Sequence, residues 1–189
     1  MSIIIDSIDQ ALAERIRSER QTRRWSLAEL ATRSGVSKAM LSKIERVEAS
    51  PTANTLARIA TAFGLTLAEL LSFEGASSPT RLMRADAQPI WRDPETNYVR
   101  RQIFADPRVP FEMVEIMLTA GKSVAFPAST YIDRQHVVWM LSGELNLREG
   151  DEEHFLSTGD RLQFREPRDV TYRNATLKPC RYLVTILLR

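Results

Sequence analysis

The stretch WSLAELATRSGVSKAMLSKIERVEASPTANTLARIATAFGLTLAELL, residues 25–71, carries the start and stop signals of four short helices. Ser26 followed by Glu29 three positions later forms a capping box, which satisfies backbone N–H groups at a helix start. Gly35 ends this first helix, because glycine tolerates the left-handed conformation needed there. Ser37 then caps a second helix, KAMLSKIER. Two such helices joined by a short glycine-containing turn predict a helix-turn-helix.

The second helix has an apolar side and a polar side. Leu41 and Ile44 share the apolar side, so their burial leaves small residues and two lysines facing outward. Small residues allow close approach, and lysines contact phosphates or guanine edges. The helix start also offers N–H groups to a phosphate. The residues predicted to contact DNA are Ser37, Lys38, Ala39, Ser42 and Lys43. For any single lysine, the alternative is ordinary solvation.

This order of residues resembles the helix-turn-helix of the phage-repressor (Cro/CI, or XRE) family. The matching segments are SLAELA at 26–31, GVS at 35–37, LSKIE at 41–45, PT at 51–52 leading into TL at 55–56, and LTL at 65–67 through LL at 70–71. The resemblance implies that the second helix binds double-stranded operator DNA. Val47 departs from the family pattern, in which a glycine usually ends the recognition helix. Because valine resists positive φ, we expect this corner to be reshaped or strained.

The helical pattern extends on both sides of this motif. From Ile8 onward, apolar residues recur at helical spacing. The preceding run Ile3–Ile5 is compatible with a flexible tail or with pairing to another segment. Thr52 caps the helix that Gly64 ends, and Thr66 caps a last short helix. Five helices are thus predicted for the DNA-binding domain.

The composition is that of an ordinary globular chain long enough for two small domains. Of the 189 residues, 43% are apolar and 26% are charged, and the formal net charge is +2. Residues 1–72 hold ten Lys or Arg against eight Asp or Glu, so the small excess lies in the helical part. Many DNA-binding domains are far more basic. Charge alone is therefore a weak argument for nucleic acid.

Targeting and redox signals favour the cytoplasm. Residues 1–10 contain no basic segment, and no apolar run reaches the length of a membrane span. Cys180 is the only cysteine, which excludes an intrachain disulfide and a multi-cysteine zinc site. We predict that Cys180 is a buried small apolar residue. The chain is expected to be cytoplasmic, with no membrane partner.

The composition changes after the predicted DNA-binding domain, residues 1–72. Residues 73–79 are mostly small, polar or helix-breaking and predict a linker, and residues 80–189 predict a second domain. There, short Val-, Ile- and aromatic-rich runs alternate with Gly, Pro and Asp, so we predict an antiparallel sandwich or barrel. The predicted strands are 81–84, 90–91, 98–103, 112–118, 123–126, 136–141, 144–148, 153–156, 161–164, 170–174 and 181–188. The predicted fold class is multidomain, α plus β.

The second domain resembles the cupin family, a small jelly-roll β-barrel. The residues that carry the resemblance are AG at 120–121, VVWMLSGEL at 137–145, LSTGD at 156–160 and YRN at 172–174. Catalytic cupins usually hold a metal with two histidines and a glutamate from a first motif and one histidine from a second. Counting from the matched glycines, those positions fall on Thr130, Ile132, His136 and Thr171, and a one-residue shift would select Ser129 or Tyr131. Three of the four metal ligands are therefore absent.

A first-row metal needs several converging N, O or S donors, so we predict no metal and no other cofactor. A small barrel can instead hold one organic ligand in its interior. The predicted ligand-binding residues are Thr130, Tyr131, His136, Met140 and Thr171, with Ile132 and Val138 also expected to face inward. Arg101 and Arg134 are further candidates and would favour a carboxylate. Ordinary core packing is the alternative interpretation of His136 and Met140.

These features favour a transcriptional regulator, not an enzyme. One recognition helix covers only a few base pairs, so a homodimer is predicted, and the cupin domain is predicted to sense a small-molecule effector or to support dimerisation. Two alternatives are a metal-dependent cupin isomerase or dioxygenase with an accessory DNA-binding domain, and an antitoxin-like interaction module.

Overall fold

A computed structural model describes residues 3–71 and 81–188. These residues form two compact units, one on each side of the segment 72–80. A helical unit is followed by a β unit, which is the predicted order. The predicted linker at 73–79 lies outside the described residues, so the linker and the exact domain boundaries stay predictions.

The N-terminal unit consists of α-helices. Its helices are α1 (Ile3–Thr22), α2 (Leu27–Ser34), α3 (Lys38–Glu45), α4 (Ala53–Phe63) and α5 (Leu67–Leu70). Five helices in the described part of this unit match the prediction, but α1 begins at Ile3 and not at Ile8. The β-branched run Ile3–Ile5 lowers helix propensity only slightly, and adding residues to an existing helix needs no new nucleation.

Side-chain caps set the helix ends as predicted. Ser26 Oγ accepts a hydrogen bond from Glu29 N at 3.2 Å, while Ser26 N donates to Glu29 Oε2 at 2.6 Å, which completes the capping box. Gly35 is left-handed, with φ of 66°, and its N–H donates to Ala31 O. Equivalent caps are found at Ser37, Thr52, Gly64 and Thr66. Local sequence signals therefore define the turns between the helices of this unit.

One apolar core holds the helices together. Side chains with almost no exposure come from all five described helices and include Leu12, Ile16, Leu30, Leu41, Leu56, Ile59 and Leu70. Helix α2 packs against α3 and α4, and α1 packs against α3. Because Leu41 and Ile44 are buried, the opposite side of α3 faces solvent.

The C-terminal unit is built from antiparallel β-strands. The described strands are β1 (Ile90–Arg92), β2 (Val99–Ala105), β3 (Phe111–Leu118), β4 (Ser123–Phe126), β5 (Arg134–Ser142), β6 (Glu144–Glu149), β7 (Glu152–Ser157), β8 (Arg161–Gln163), β9 (Val170–Arg173) and β10 (Cys180–Leu188). Ten of the eleven predicted strands are present, with ends shifted by at most two residues. The predicted strand 81–84 is wrong. All four of its side chains are exposed, so it has no apolar face to bury in a sheet.

The strands form two sheets, as expected for the cupin jelly roll. The large sheet has the order β1-β2-β3-β10-β5-β8 and the small sheet has the order β4-β9-β6-β7. Along β3, every second residue from Glu112 to Leu118 is buried, and β10 alternates in the same way. Two sheets with such alternation enclose a common interior between their inner faces.

A tight turn joins β5 to β6 at the predicted position. Gly143 has φ of 80° and lies against Cys180, so that an added Cβ would stand 2.9 Å from the Cys180 Cβ. Both the conformation and the close approach require glycine. Cys180 itself is fully buried, and burial raises the pKa of its thiol to about 11. The predicted apolar role of Cys180 is thus confirmed.

Candidate functional sites

The outward side of α3 presents the residues predicted to contact DNA. Lys38, Ala39 and Lys43 are exposed and Ser42 is half-buried. Met40, which the sequence analysis did not select, is also 40% exposed on this helix. The outward side therefore combines two cations, small residues and one flexible apolar side chain, a mixture suited to a groove.

Ser37 caps the start of α3 and satisfies part of its first turn. Ser37 Oγ accepts a hydrogen bond from Met40 N at 3.2 Å, and Leu41 N donates to Ser37 O at 3.0 Å. The other first-turn N–H groups have no acceptor within the helix. Together with the helix dipole, these groups favour an anion such as a phosphate at this end.

The end of α3 contains the strained corner expected at Val47. Val47 has φ of 61° and is exposed. Its N–H donates to Ile44 O at 3.0 Å, and Glu48 N donates to Lys43 O at 2.8 Å, which closes the helix in the way a glycine usually does. The valine thus adopts the glycine conformation at an energetic cost, because a β-branched residue clashes in the left-handed region.

A partly buried ion pair joins α3 to α1 and was not predicted from the sequence. Arg20 Nε and Nη2 donate to the two carboxylate oxygens of Glu45, each at 2.7 Å, and Arg17 Nη2 donates to the Glu45 carbonyl. Arg20 Nη1 also donates to Trp25 O at 2.9 Å. The available signal was an acidic residue at helical spacing from Leu41 on the inner side of α3. This bidentate pair fixes the orientation of the helix.

Two arginines pack against an aromatic cluster of the helical unit. The ring of Trp25 stacks on that of Phe63 at 5.8 Å between centroids, and the Arg33 guanidinium lies 4.3 Å from the Trp25 centroid. Arg23 Nη2 donates to Phe63 O at 2.8 Å. Arg23 is therefore engaged within the fold, whereas Arg24 is exposed.

The interior of the β unit contains a connected group of aromatic rings. Tyr172 stacks on Tyr182 at 5.6 Å with the rings nearly parallel, and Phe164 lies 5.9 Å from His136. The rings of Tyr131 and His136 are 4.9 Å apart. The Tyr131 and Tyr172 hydroxyls are hydrogen-bonded, and burial raises the pKa of both. Large side chains thus occupy much of the space between the two sheets.

The predicted ligand-binding residues are divided between the interior and the exterior. Tyr131, His136 and Met140 are buried inside, as is Val138, and Thr130 is half-buried. The inward orientation expected for Thr171 is wrong, because its neighbours Val170 and Tyr172 are the buried residues of β9. A shift of one residue reverses the side of a strand. Ile132, also expected inside, is 54% exposed because it follows the 3₁₀ turn at Ala128–Tyr131.

The environment of His136 holds its imidazole neutral. Burial, with smaller contributions from the positive charges of Arg134 and Arg100, lowers the pKa of His136 to about 3. Its Nδ1 is buried without a hydrogen-bond partner, and the buried hydroxyl of Tyr182 also lacks one. Such orphaned polar atoms are uncommon in folded proteins, and a bound water or ligand is one explanation for them.

An arginine faces the interior, but it is not the residue that the sequence analysis proposed. Arg100 is buried on the inner side of β2, whereas Arg101 lies on its outer side. Arg100 Nη2 donates to Gln102 Oε1 at 3.1 Å. Burial lowers the pKa of Arg100, an effect opposed by Tyr98 and by Glu112. The error again corresponds to one residue of strand register.

The residues at the expected cupin metal position do not fit a metal. Within residues 3–71 and 81–188, no three His, Cys, Asp or Glu side chains lie close enough together to bind one. His136 has Tyr131 and Phe164 as ring neighbours, which are not transition-metal ligands of the usual N, O-carboxylate or S type. The described residues at this position therefore do not form a metal site of the cupin type.

A separate surface cleft of about 490 Å³ lies along β6, β7, β8 and the loop that follows β8. His154 and Glu149 line it, with His154 Nε2 3.5 Å from Glu149 Oε2. Burial raises the pKa of Glu149. All of its lining residues lie within the segment 149–168, and no local pattern in that segment predicted a concave surface.

Similarity to known proteins agrees with this architecture. The family model described as HTH_3, helix-turn-helix, matches residues 16–70. The HTH-type transcriptional regulator SutR of Escherichia coli is 31% identical over 174 residues, which cover 90% of this chain and 90% of that protein. An uncharacterized HTH-type transcriptional regulator of Mycobacterium tuberculosis is 33% identical over 103 residues, covering 54% of this chain and 64% of that protein.

A solved structure shows the same fold. The crystal structure of an HTH_3 family transcriptional regulator from Vibrio cholerae has a TM-score of 0.80, with 22% identity over 97% of this chain and 98% of that chain. In the described part of the chain, no helix is long and apolar enough to cross a membrane. Because its helix-turn-helix matches the HTH_3 model and the chain is similar over nearly its full length to SutR, the chain belongs to the XRE-type helix-turn-helix transcriptional regulators, here with a C-terminal domain of two antiparallel β-sheets.

Proposed function

We propose that α3 reads operator DNA in the major groove through Lys38, Ala39, Ser42 and Lys43, with Ser37 next to the phosphate backbone. One observation supports the proposal most directly. These residues share the solvent side of a helix whose other side is locked by Leu41, Ile44 and the Arg20–Glu45 pair. In a helix-turn-helix, the N-terminal residues of the second helix contact base edges.

The experiment is a DNA-binding titration with a selected operator fragment, in which two double variants are compared. Lys38→Ala/Lys43→Ala is expected to weaken binding to the operator at least about 100-fold, because each good base contact contributes about 1–3 kcal/mol. The control is Lys122→Ala/Lys178→Ala, which removes the same charge from exposed positions of the β unit. Equal binding by the two variants would overturn the assignment of α3.

Base reading by Ser42 and Lys43 has its own test. Substitution of a base-contacting residue relaxes the preference at one position of the site, whereas loss of a phosphate contact weakens all sequences alike. Selection of binding sites by Ser42→Ala should therefore yield a less restricted consensus. An unchanged consensus would mean that Ser42 only allows the helix to approach the DNA closely and does not recognise a base.

We further propose that the barrel senses a small organic effector near His136 and is not an enzyme. The supporting observations are that His136 Nδ1 is buried without a hydrogen-bond partner and lies within the field of the cations Arg134 and Arg100, and that the buried Tyr182 hydroxyl also lacks a partner. Tyr131 and Met140 would complete the apolar part of the site. Thr130 remains a candidate at its edge, whereas Thr171 faces away from the interior.

A thermal-shift screen of the full chain against organic acids, amines, sugars and divalent metals tests this proposal. A ligand that prefers the folded protein raises the unfolding temperature, and one organic class is expected to do so. Tyr182→Phe should reduce that shift, while Phe155→Leu, on the outer side of β7, should not. A large shift with Fe²⁺, Mn²⁺ or Zn²⁺ would instead favour the enzyme hypothesis.

Coupling between effector and operator would pass through the predicted linker, residues 73–79, between domains 1–72 and 80–189. We propose that a homodimer in the cytoplasm binds two half-sites and that the effector alters the spacing or mobility of its two helical units. Linkage then requires the effector affinity to differ between free and DNA-bound protein. Equal affinities in calorimetric titrations would exclude this coupling.

A further inference from the structure

The two sheets of the barrel differ on their outer faces. In the large sheet, the residues that alternate with the buried ones are mainly apolar. We call this set the outer apolar face; it consists of Phe104, Phe111, Met113, Val137, Trp139, Leu183 and Leu187. Trp139 is 49% exposed, and Leu187 is 44% exposed. A sheet exposed to water normally carries polar residues on that side.

The strand register joins these residues into one continuous patch. Leu183 of β10 lies opposite Trp139 of β5, and Leu187 lies opposite Phe111 of β3. Between them, Thr185 lies opposite both Val137 and Met113. The patch thus crosses the central strands of the sheet and does not consist of scattered apolar residues.

The outer face of the small sheet provides an internal comparison. Its exposed positions are mostly polar or small: Ser123, Ala125, Glu144, Asn146, Arg148, Glu153, Ser157, Thr171 and Arg173. Phe155 is the large apolar exception on this face, at 74% exposed. One barrel therefore has one face suited to water and one face suited to burial.

We propose that the outer apolar face is the interface through which a second copy of this chain binds. The proposal rests on the proposed homodimer and names its surface. Two sheets would pack face to face about 10 Å apart, as in a β-sandwich. A two-fold axis makes such a contact isologous, so that each copy uses the same patch and the assembly closes at two subunits.

Charges at the border of the face are compatible with self-association. Arg181 Nη2 donates to Glu115 Oε1 at 2.9 Å, and Arg101 lies opposite Glu115 on the next strand. Both signs are therefore present on the same surface, as a two-fold interface requires for charge complementarity. A single-sign border would have repelled a second copy.

The size of the face also matches a dimer interface. With strands about 4.8 Å apart and residues about 3.4 Å apart, the whole outer side of the large sheet, which is the outer apolar face together with its polar border, projects over roughly 600 Å². Standing side chains make its accessible area larger than this projection. A standard interface buries roughly 800 Å² per partner, so the face is large enough for a specific homodimer.

The first experiment measures the mass of the full chain by sedimentation over a range of concentrations. The wild type is expected to be a dimer, and Leu183→Glu should raise the dissociation constant at least 100-fold, because a two-fold interface contains the substitution twice. Phe155→Glu is the matched control on the small sheet and should leave the dimer intact. Thermal unfolding of each variant verifies that the monomer is folded.

A second experiment needs no substitution. Radical footprinting of the wild type at high and low concentration should show concentration-dependent protection of Trp139 and Met113, with none at Phe155. Dimeric Leu183→Glu together with unprotected Trp139 would overturn the interface but leave the homodimer. A wild type that remains monomeric while binding operator DNA would overturn the dimer itself, without affecting the assignment of α3.

Discussion

The helical unit exposes its candidate functional residues to solvent, whereas the β unit buries most of them in its interior. Helix α3 presents Lys38 and Lys43 to solvent, whereas β5 directs His136 and Met140 into the barrel. Two capped turns and the spacing of apolar residues define the outward side of α3. The inward side of a strand depends on pairing with strands distant in sequence. The residues of an exterior helical site can therefore be predicted from local sequence signals, whereas those of a barrel interior depend on the register of strand pairing.

The largest expected effect lies at the turn of the β unit. Gly143→Ala should lower the free energy of unfolding by about 3 kcal/mol, because its Cβ would meet the Cys180 Cβ at 2.9 Å and its φ is 80°. Gly159→Ala is the control: its φ is 94°, but nothing lies within 4 Å of the added Cβ. Urea unfolding should show the smaller loss for Gly159→Ala. Equal losses would mean that the close approach to Cys180 is unimportant.

The corresponding test in the helical unit removes the pair that orients α3. Glu45→Ala should lower the free energy of unfolding by about 2 kcal/mol, because Arg20 would keep its charge without its bidentate partner. Glu48→Ala removes a carboxylate of similar geometry from Arg46, but both side chains are exposed, so little change is expected. Denaturation followed by helical circular dichroism measures both. An equal effect of the two substitutions would mean that the Arg20–Glu45 pair does not anchor α3 to α1.

The pH dependence of the barrel tests the buried state of His136. The unfolded histidine binds a proton near pH 6.5, whereas the folded residue does so only near its pKa of about 3. Between these values the unfolded chain binds more protons, so stability falls as pH falls, by about 2 kcal/mol from pH 7 to pH 5. His136→Gln should flatten this part of the curve relative to wild type. A slope unaffected by His136→Gln would contradict the burial argument.

The smallest expected effect concerns the strained end of α3. Val47→Gly should raise the free energy of unfolding by about 1 kcal/mol, because glycine adopts φ of 61° without the clash of a β-branched side chain. The exposed valine loses little buried surface. Ala49→Gly is a control nearby that should not stabilise the unit. If Val47→Gly is destabilising, the corner is held by packing and is not strained.

Local chemistry explains why much of the helical unit could be predicted. Ser26, Gly35 and Ser37 act through backbone groups within a few residues, so their roles are visible in the sequence. The Arg20–Glu45 pair was not predicted, because its members are 25 positions apart and join different helices. The early start of α1 was missed because an Ile run also suits an extended chain.

In the β unit, the existence of strands was predictable, but their inward sides were less so. Alternating apolar residues predicted β3 and β10, and Gly143 marked a turn. Counting from family positions selected Thr171 and Arg101, whereas Tyr172 and Arg100 face the interior. An error of one residue reverses a strand's side.

The sequence by itself determined the capped starts of α2 to α5, the turn glycines, the positions of most strands along the chain and the outward residues of α3. Each of these depends on backbone conformation and on side-chain patterning within a short segment. Only the tertiary structure decided which arginine enters the barrel, which aromatic rings meet around His136, and that apolar side chains form one patch on the outer face of the large sheet. The physical reason is that strand pairing and ring contacts join residues far apart in the chain, and no local pattern fixes their register.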